Sequence, residues 1–309
     1  MTSITPPPAH TGSIFSPERV WLAIQKYRTM DLKSASLEEI RQRLGPLRPH
    51  AVRSINIGGS VVSRVRRLEE ADRICSLADV WCPPAAKAPL GRANRPGAPV
   101  FYGAFDPVTA IRETGIKPGE RYAVAIYTVE ATGPHDDSTV AIYPWIELPY
   151  AQSRDQRLVA AITTDFYISE FSRPDVHYEG QSYQHKASCV LAEMLLDLPY
   201  RDSLLYQSTL SHSRFNLAMQ EEAARERLKL LEVIECRMTR DEGGDEVRSL
   251  CLGGYLPDPQ GEDLLPGPVP QGAEKGEWRW NVQGADGKPH QTEKILDVLG
   301  RPSTPPRGP

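Results

Sequence analysis

The chain has 309 residues, of which 40% are apolar and 25% charged, with a formal net charge of -4. That composition belongs to ordinary globular proteins and excludes collagen-like or low-complexity classes. With 36 basic residues against 40 acidic ones, the bulk charge gives no reason to expect DNA or RNA as a direct partner. No apolar run approaches the roughly 20 residues that cross a bilayer, and the first ten residues lack the layout of a secretory signal, so a cytoplasmic protein without a membrane partner is expected.

In chain order, residues 1–17 are rich in Pro, Ser and Thr and read as a flexible arm. Ser16 followed by Pro17 and Glu18 is a helix start, since serine caps free amides and proline is tolerated at the first helical position. Val20, Ile24 and Tyr27 give that helix an apolar stripe, and a second short helix is expected over Leu37 to Leu44. Residues 18–54 thus form a helical N-terminal addition.

A core domain is expected over 55–238. Val61 to Arg66 alternates apolar and basic residues as a half-buried strand does. The charged interval after it reads as helical. The loop GRANRPGAP, Gly91 to Pro99, leads into a strand at Val100 to Tyr102. Asp106-Pro107 then launches a helix carrying Val108, Ile111 and Glu113, closed by Gly115.

Strands are expected at Tyr122 to Val129 and Ser138 to Tyr143, then a helix over Asp155 to Phe171 with Leu158, Ile162 and Phe166 on one face. The clearest helix spans Gln184 to Leu198, where Ala187, Val190, Leu191, Met194, Leu195 and Leu198 share a face and read as core. Strands follow at Leu204 to Tyr206 and Phe215 to Met219. Glu221 to Met238 mixes charged and apolar residues. An extension over 239–285, packed on the core, could add edge strands at Leu250 to Leu256 and Trp278 to Val282, and 286–309 reads as a flexible tail.

The five cysteines, Cys75, Cys82, Cys189, Cys236 and Cys251, have no zinc-type spacing, so reduced thiols and no metal site are expected. In GRANRPG, glycines let backbone approach a ligand while Arg92 and Arg95 offer directed donors for phosphate oxygens. The loop matches neither GxGxxG nor GxxxxGK[ST], so an ordinary turn and an anion site both stand. Glu113 can accept from ribose hydroxyls or stabilise a sugar cation; pairing with Arg112 or Lys117 is the plainer role. Ser208, at the end of a strand, can orient a phosphate or amide. His212 is close to it in sequence, but no GxSxG elbow supports a hydrolase triad.

Taken together, GRANRPGAPVFYGAFDPVTAIRE (91–113) and YQSTLSHSRFNLAM (206–219) make the region from Arg64 to Gln220 resemble the RES domain family. The resemblance implies an α/β (α+β) fold, a compact mixed-sheet core similar to ADP-ribosyltransferases, with NAD bound in a cleft. It also implies cleavage of the nicotinamide–ribose bond of NAD by phosphorolysis or hydrolysis, often as the toxin of a toxin–antitoxin pair.

Matched by motif, Arg92, Tyr102, Glu113 and Ser208 are the expected catalytic residues, and Arg64, Arg92, Tyr102 and Asn216 the expected NAD-binding ones. NAD is then a substrate, inorganic phosphate a possible co-substrate, and an antitoxin protein a possible partner, with no permanently bound cofactor. A protein ADP-ribosyltransferase and a degenerate nucleotide- or partner-binding module are the alternatives. Many family sequences carry an aromatic residue where this chain has Ala93, a change expected to alter the pocket, with Trp81, Phe101 or Tyr102 as candidates to compensate.

Overall fold

The computed structural model describes residues 16–47, 53–131, 138–142, 153–173, 182–198, 200–210, 214–269 and 277–281. Most of the expected arm and all of the expected tail fall outside these residues. Helix α1 (Pro17–Arg28) starts where Ser16 Oγ accepts the Arg19 amide at 3.3 Å. Helix α2 (Leu37–Leu44) starts with a reciprocal capping box between Ser36 and Glu39. Helix α3 (Pro107–Glu113) is short, α4 (Arg154–Phe171) is long, α5 (Lys186–Leu196) is the most buried, and α6 (Glu221–Arg227) makes about two turns.

Eleven described strands form one sheet. They are β1 (Arg53–Ile55), β2 (Val61–Leu68), β3 (Val100–Ala104), β4 (Arg121–Val129), β5 (Thr139–Ile142), β6 (Ser203–Gln207), β7 (Phe215–Gln220), β8 (Leu228–Asp241), β9 (Glu246–Pro257), β10 (Leu264–Gly267) and β11 (Glu277–Asn281). Their order is β1-β5-β6-β7-β3-β2-β4-β8-β9-β10, with β11 also on β9. The β5–β6 pair is parallel and the other described pairs are antiparallel, so the expected mixed-sheet α/β architecture holds.

The period-2 alternation of the strands sorts their side chains into layers. One face carries Phe101, Ala123, Tyr127, Leu205, Leu217 and Met219 in a single apolar cluster. The other face is divided. Val140, Leu204, Tyr206 and Ala218 pack under α1, α2, α4 and α5, while Val65, Tyr122, Val124, Ile234 and Cys236 pack under Val108 and Ile111 of α3. Strand β3 straddles the division, with Val100 in the helical cluster and Ala104 in the α3 cluster. A cleft opens between the two.

Four expectations change. The interval after β2 is not an α-helix: Asp79 takes the Cys75 and Ser76 amides, each at 2.9 Å, and holds a single 3-10 turn, Leu77–Asp79. The buried stripe of α4 runs through Val159, Thr163, Phe166, Tyr167 and Glu170; Leu158 is 46% exposed and lies beside it. The mixed region from Glu221 resolves into α6 and the 14-residue β8, which continues past 238 without a break. Strand β9 is internal, paired with β8 on one side and with β10 and β11 on the other. No described helix is long and apolar enough to cross a membrane.

The corrected stripe is testable by denaturant unfolding. Phe166, 3% exposed on the buried face of α4, should cost about 3–5 kcal/mol on Phe166→Ala. Leu158→Ala should stay within about 0.5 kcal/mol of the parent, as surface changes do.

Candidate active site between the helical layer and α3

The loop before β3 is folded by its own polar groups. Asn94 Nδ2 donates to the Pro89 and Arg95 carbonyls at 2.8 and 2.9 Å. Tyr102, from β3, closes the loop onto the sheet: its hydroxyl donates to Asn94 Oδ1 and accepts the Ala93 amide, both at 2.8 Å. Gly91 is required here, because a Cβ would sit 2.8 Å from Tyr102 Oη and closer still to Asn94 Oδ1. Gly97 supplies a turn at φ +80°.

The loop arginines then part ways. Arg95 turns to Glu193 of α5, whose Oε2 receives Arg95 Nη2 at 2.7 Å and Arg41 Nη1 of α2 at 3.1 Å. Arg92 turns inward, 5% exposed, lining the cleft and donating to the Phe171 carbonyl at the end of α4 at 2.7 Å.

Strands β2 and β3 meet only at Ser63↔Ala104, whereas β2 and β4 pair along their full length. Arg64 occupies the place where the β2–β3 ladder stops. It donates through Nε to the Trp81 carbonyl at 3.2 Å and through Nη1 to the Tyr102 carbonyl at 2.9 Å, with its guanidinium 5.5 Å from the Phe101 ring centre. Burial lowers its pKa from the ordinary arginine value. These bonds leave Nη2 for another acceptor.

Helix α3 is fixed at both ends. Asp106 caps it, accepting the Thr109 amide at 2.8 Å and the Thr109 hydroxyl at 2.6 Å. Arg214 lies 3.6 Å from that carboxylate. At the other end Ile116 N reaches Ile111 O and Gly115 N reaches Arg112 O, the Schellman pattern, with Gly115 at φ +67°. Arg112 pairs with Asp241 at 2.6 Å and with the Gly244 carbonyl at 2.6 Å. It is therefore not the partner of Glu113.

Glu113 instead faces the sheet. Its Oε1 accepts Ser208 Oγ at 2.5 Å and Asn216 Nδ2 at 2.9 Å. Both bonds fall on Oε1, so Oε2 is left for the cleft. That cleft, about 270 Å³, is lined by Arg64, Arg92, Tyr102, Glu113 and Asn216, and also by His185, Tyr206 and Thr114. Five of the six sequence-derived site residues therefore share one cavity.

The family model for the RES domain matches residues 63–241, more than half of the chain. The chain belongs to the RES domain family. No curated protein matches it. The matched stretch runs from within β2 to the end of β8, so α1, α2, β1 and β9 to β11 lie outside it.

Within this RES domain three expectations need correction. Ser208 is 1% exposed and does not line the cleft; its hydroxyl donates to Glu113 and accepts the Leu210 amide at 3.1 Å. Ala93 is 3% exposed in the helical cluster, so its small side chain faces core packing and not the cavity. Of the proposed compensators, Trp81 and Phe101 pack on each other and on Tyr127 in the opposite layer, and only Tyr102 lines the cleft. His212 lies outside the described residues.

The residue that the sequence reading missed is His185, 8% exposed at the start of α5 and lining the cleft. Sequence patterning placed it inside the helix expected from Gln184; the structure ends a 3-10 turn at His185 and starts α5 at Lys186, which puts the imidazole at the helix mouth. Among the described residues no three His, Cys, Asp or Glu side chains gather as a metal site.

The Tyr102 latch predicts a local effect. Tyr102→Phe should raise hydrogen exchange at the Ala93 amide about tenfold, the worth of one hydrogen bond, while amides in α5 keep their protection.

Proposed function

We propose that the cleft cleaves the nicotinamide–ribose bond of NAD and passes the ADP-ribosyl group to inorganic phosphate or water. The observation that carries this reading is the Glu113 carboxylate, held at one oxygen by Ser208 and Asn216, in a cavity that Arg64 and Arg92 also line. The RES domain is associated with NAD-related toxin function, which supports NAD as substrate and a role as the toxin of a toxin–antitoxin pair, with an antitoxin protein as its restraint.

In this mechanism Arg64 and Arg92 receive the pyrophosphate by charge-assisted bonds. Tyr102 lies against the nicotinamide riboside. Glu113 Oε2 accepts from a ribose hydroxyl, and its negative charge favours the oxocarbenium character that grows as the bond breaks. The bonding electron pair stays on the nicotinamide nitrogen, which leaves neutral, so no general acid is required. Phosphate attack gives ADP-ribose-1″-phosphate; water gives ADP-ribose. Ser208 and Asn216 hold the carboxylate in place throughout, and Asn216, from the cleft wall, does so while bordering the substrate.

Incubation with NAD and phosphate, followed by mass spectrometry of the adenine-containing product, distinguishes phosphorolysis, hydrolysis and protein ADP-ribosylation. Absence of nicotinamide release from the folded protein would overturn the catalytic reading, and NAD binding without release would favour a degenerate binding module. Glu113→Gln keeps an oxygen for Ser208 and Asn216 but removes the charge. It should lower nicotinamide release by about 10²-fold or more with little change in unfolding midpoint. Ser208→Ala should cost about tenfold, the effect of loosening one hydrogen bond.

A further inference from the structure

Two of the five cysteines stand opposite each other in the sheet. Cys236 of β8 and Cys251 of β9 are directly paired in register, and both are unbridged thiols. Both side chains join the apolar cluster under α3, Cys236 buried in it and Cys251 at its partly exposed margin. They therefore point to the same side of the sheet.

Residues directly opposed in an antiparallel pair keep their Cα atoms about 4.5–5.5 Å apart, inside the roughly 4.4–6.8 Å that a disulfide spans. Closure needs side-chain rotation and little backbone movement. A register shift between Glu235 and Cys236 adds local freedom at the same point.

We propose that Cys236 and Cys251 are a redox-active dithiol that closes reversibly to an intrachain disulfide in the presence of a hydroperoxide. The partly exposed Cys251 is the attacking sulfur. The contact between the two thiols lowers the Cys251 pKa, while that contact and burial hold Cys236 well above the ordinary thiol value; Cys251 Sγ also donates to the Gly253 carbonyl at 3.8 Å. Burial also pushes Cys82 up to about 11 and Cys189 up to about 12, so neither competes near neutral pH.

In the first step Cys251 thiolate attacks a peroxide oxygen, the O–O bond breaks, and hydroxide leaves to become water, giving a sulfenic acid. Cys236 sulfur then attacks Cys251 sulfur, the S–O bond breaks, and the Cys236 proton leaves with the oxygen as a second water. In sum, two thiols and one hydrogen peroxide become one disulfide and two waters. The assignment is independent of the reaction in the cleft.

The test uses the full chain, reduced, exposed to hydrogen peroxide in the folded state, alkylated with iodoacetamide and digested without reductant. The expected product is a peptide pair joined through Cys236 and Cys251, two hydrogens lighter than the separate peptides and released by dithiothreitol. In Cys251→Ser that product is absent and Cys236 is recovered alkylated. The proposal is overturned if both cysteines of the parent are recovered alkylated while exposed Cys75 is oxidised, if Cys251 ends as sulfinic acid with no link to Cys236, or if the links formed involve Cys75.

Discussion

The Glu113 carboxylate is the point on which the site depends. One of its oxygens receives a hydroxyl from the loop after β6 and an amide from β7, so a single acceptor joins the end of α3 to the middle of the sheet. Hydrogen bonds to a charged acceptor are shorter and stronger than neutral ones, and here they fix a side chain that would otherwise swing at the end of a seven-residue helix. The geometry only works because α3 is itself immobilised, by Asp106 and Thr109 at its start and by the Gly115 turn at its end.

Charges around the cleft are spent on architecture as much as on a ligand. Glu193 draws Arg95 away from the cleft and binds it with Arg41 of the N-terminal helices. Arg112 and Arg214 tie α3 and the Ser208 loop to the β8–β9 turn through Asp241 and Asp245. Each of these pairs keeps at least one partner partly exposed to solvent, so its net contribution to stability is small. Its use here is placement. The consequence is that segments outside the RES match, α2 and the β8–β9 turn, hold the two walls of the cleft.

Tyr27 and Glu170 show the same economy of position. The Tyr27 hydroxyl of α1 donates to buried Glu170 at 2.9 Å, which also meets Arg173 at 2.8 Å. Burial raises the pKa of both the tyrosine and the glutamate. This pair pins α1 to the last turn of α4, one residue from the Phe171 carbonyl that orients Arg92. The N-terminal helices thereby reach the cleft through two contacts without lining it.

Local rules carried far into this chain. Ser16 and Asp106 marked helix starts because their side chains cap free amides within three residues. Alternation at Tyr122 to Val129 and the apolar face of Ala187 to Leu195 likewise fixed a strand and a helix, since both are set by near neighbours. The motifs from Gly91 to Glu113 and around Ser208 pointed to one site only through their joint resemblance to the RES domain family, since their local chemistry left an ordinary turn and a simple ion pair open. Which oxygen of Glu113 is held, that Arg95 faces α5 while Arg92 faces the cleft, that His185 joins the wall, and that β9 is internal were decided by tertiary structure alone. Each depends on a partner far along the chain, 79 residues away for Arg92 and Phe171, 95 for Glu113 and Ser208 and 98 for Arg95 and Glu193, or on which edge of the sheet is covered, and no local pattern encodes that.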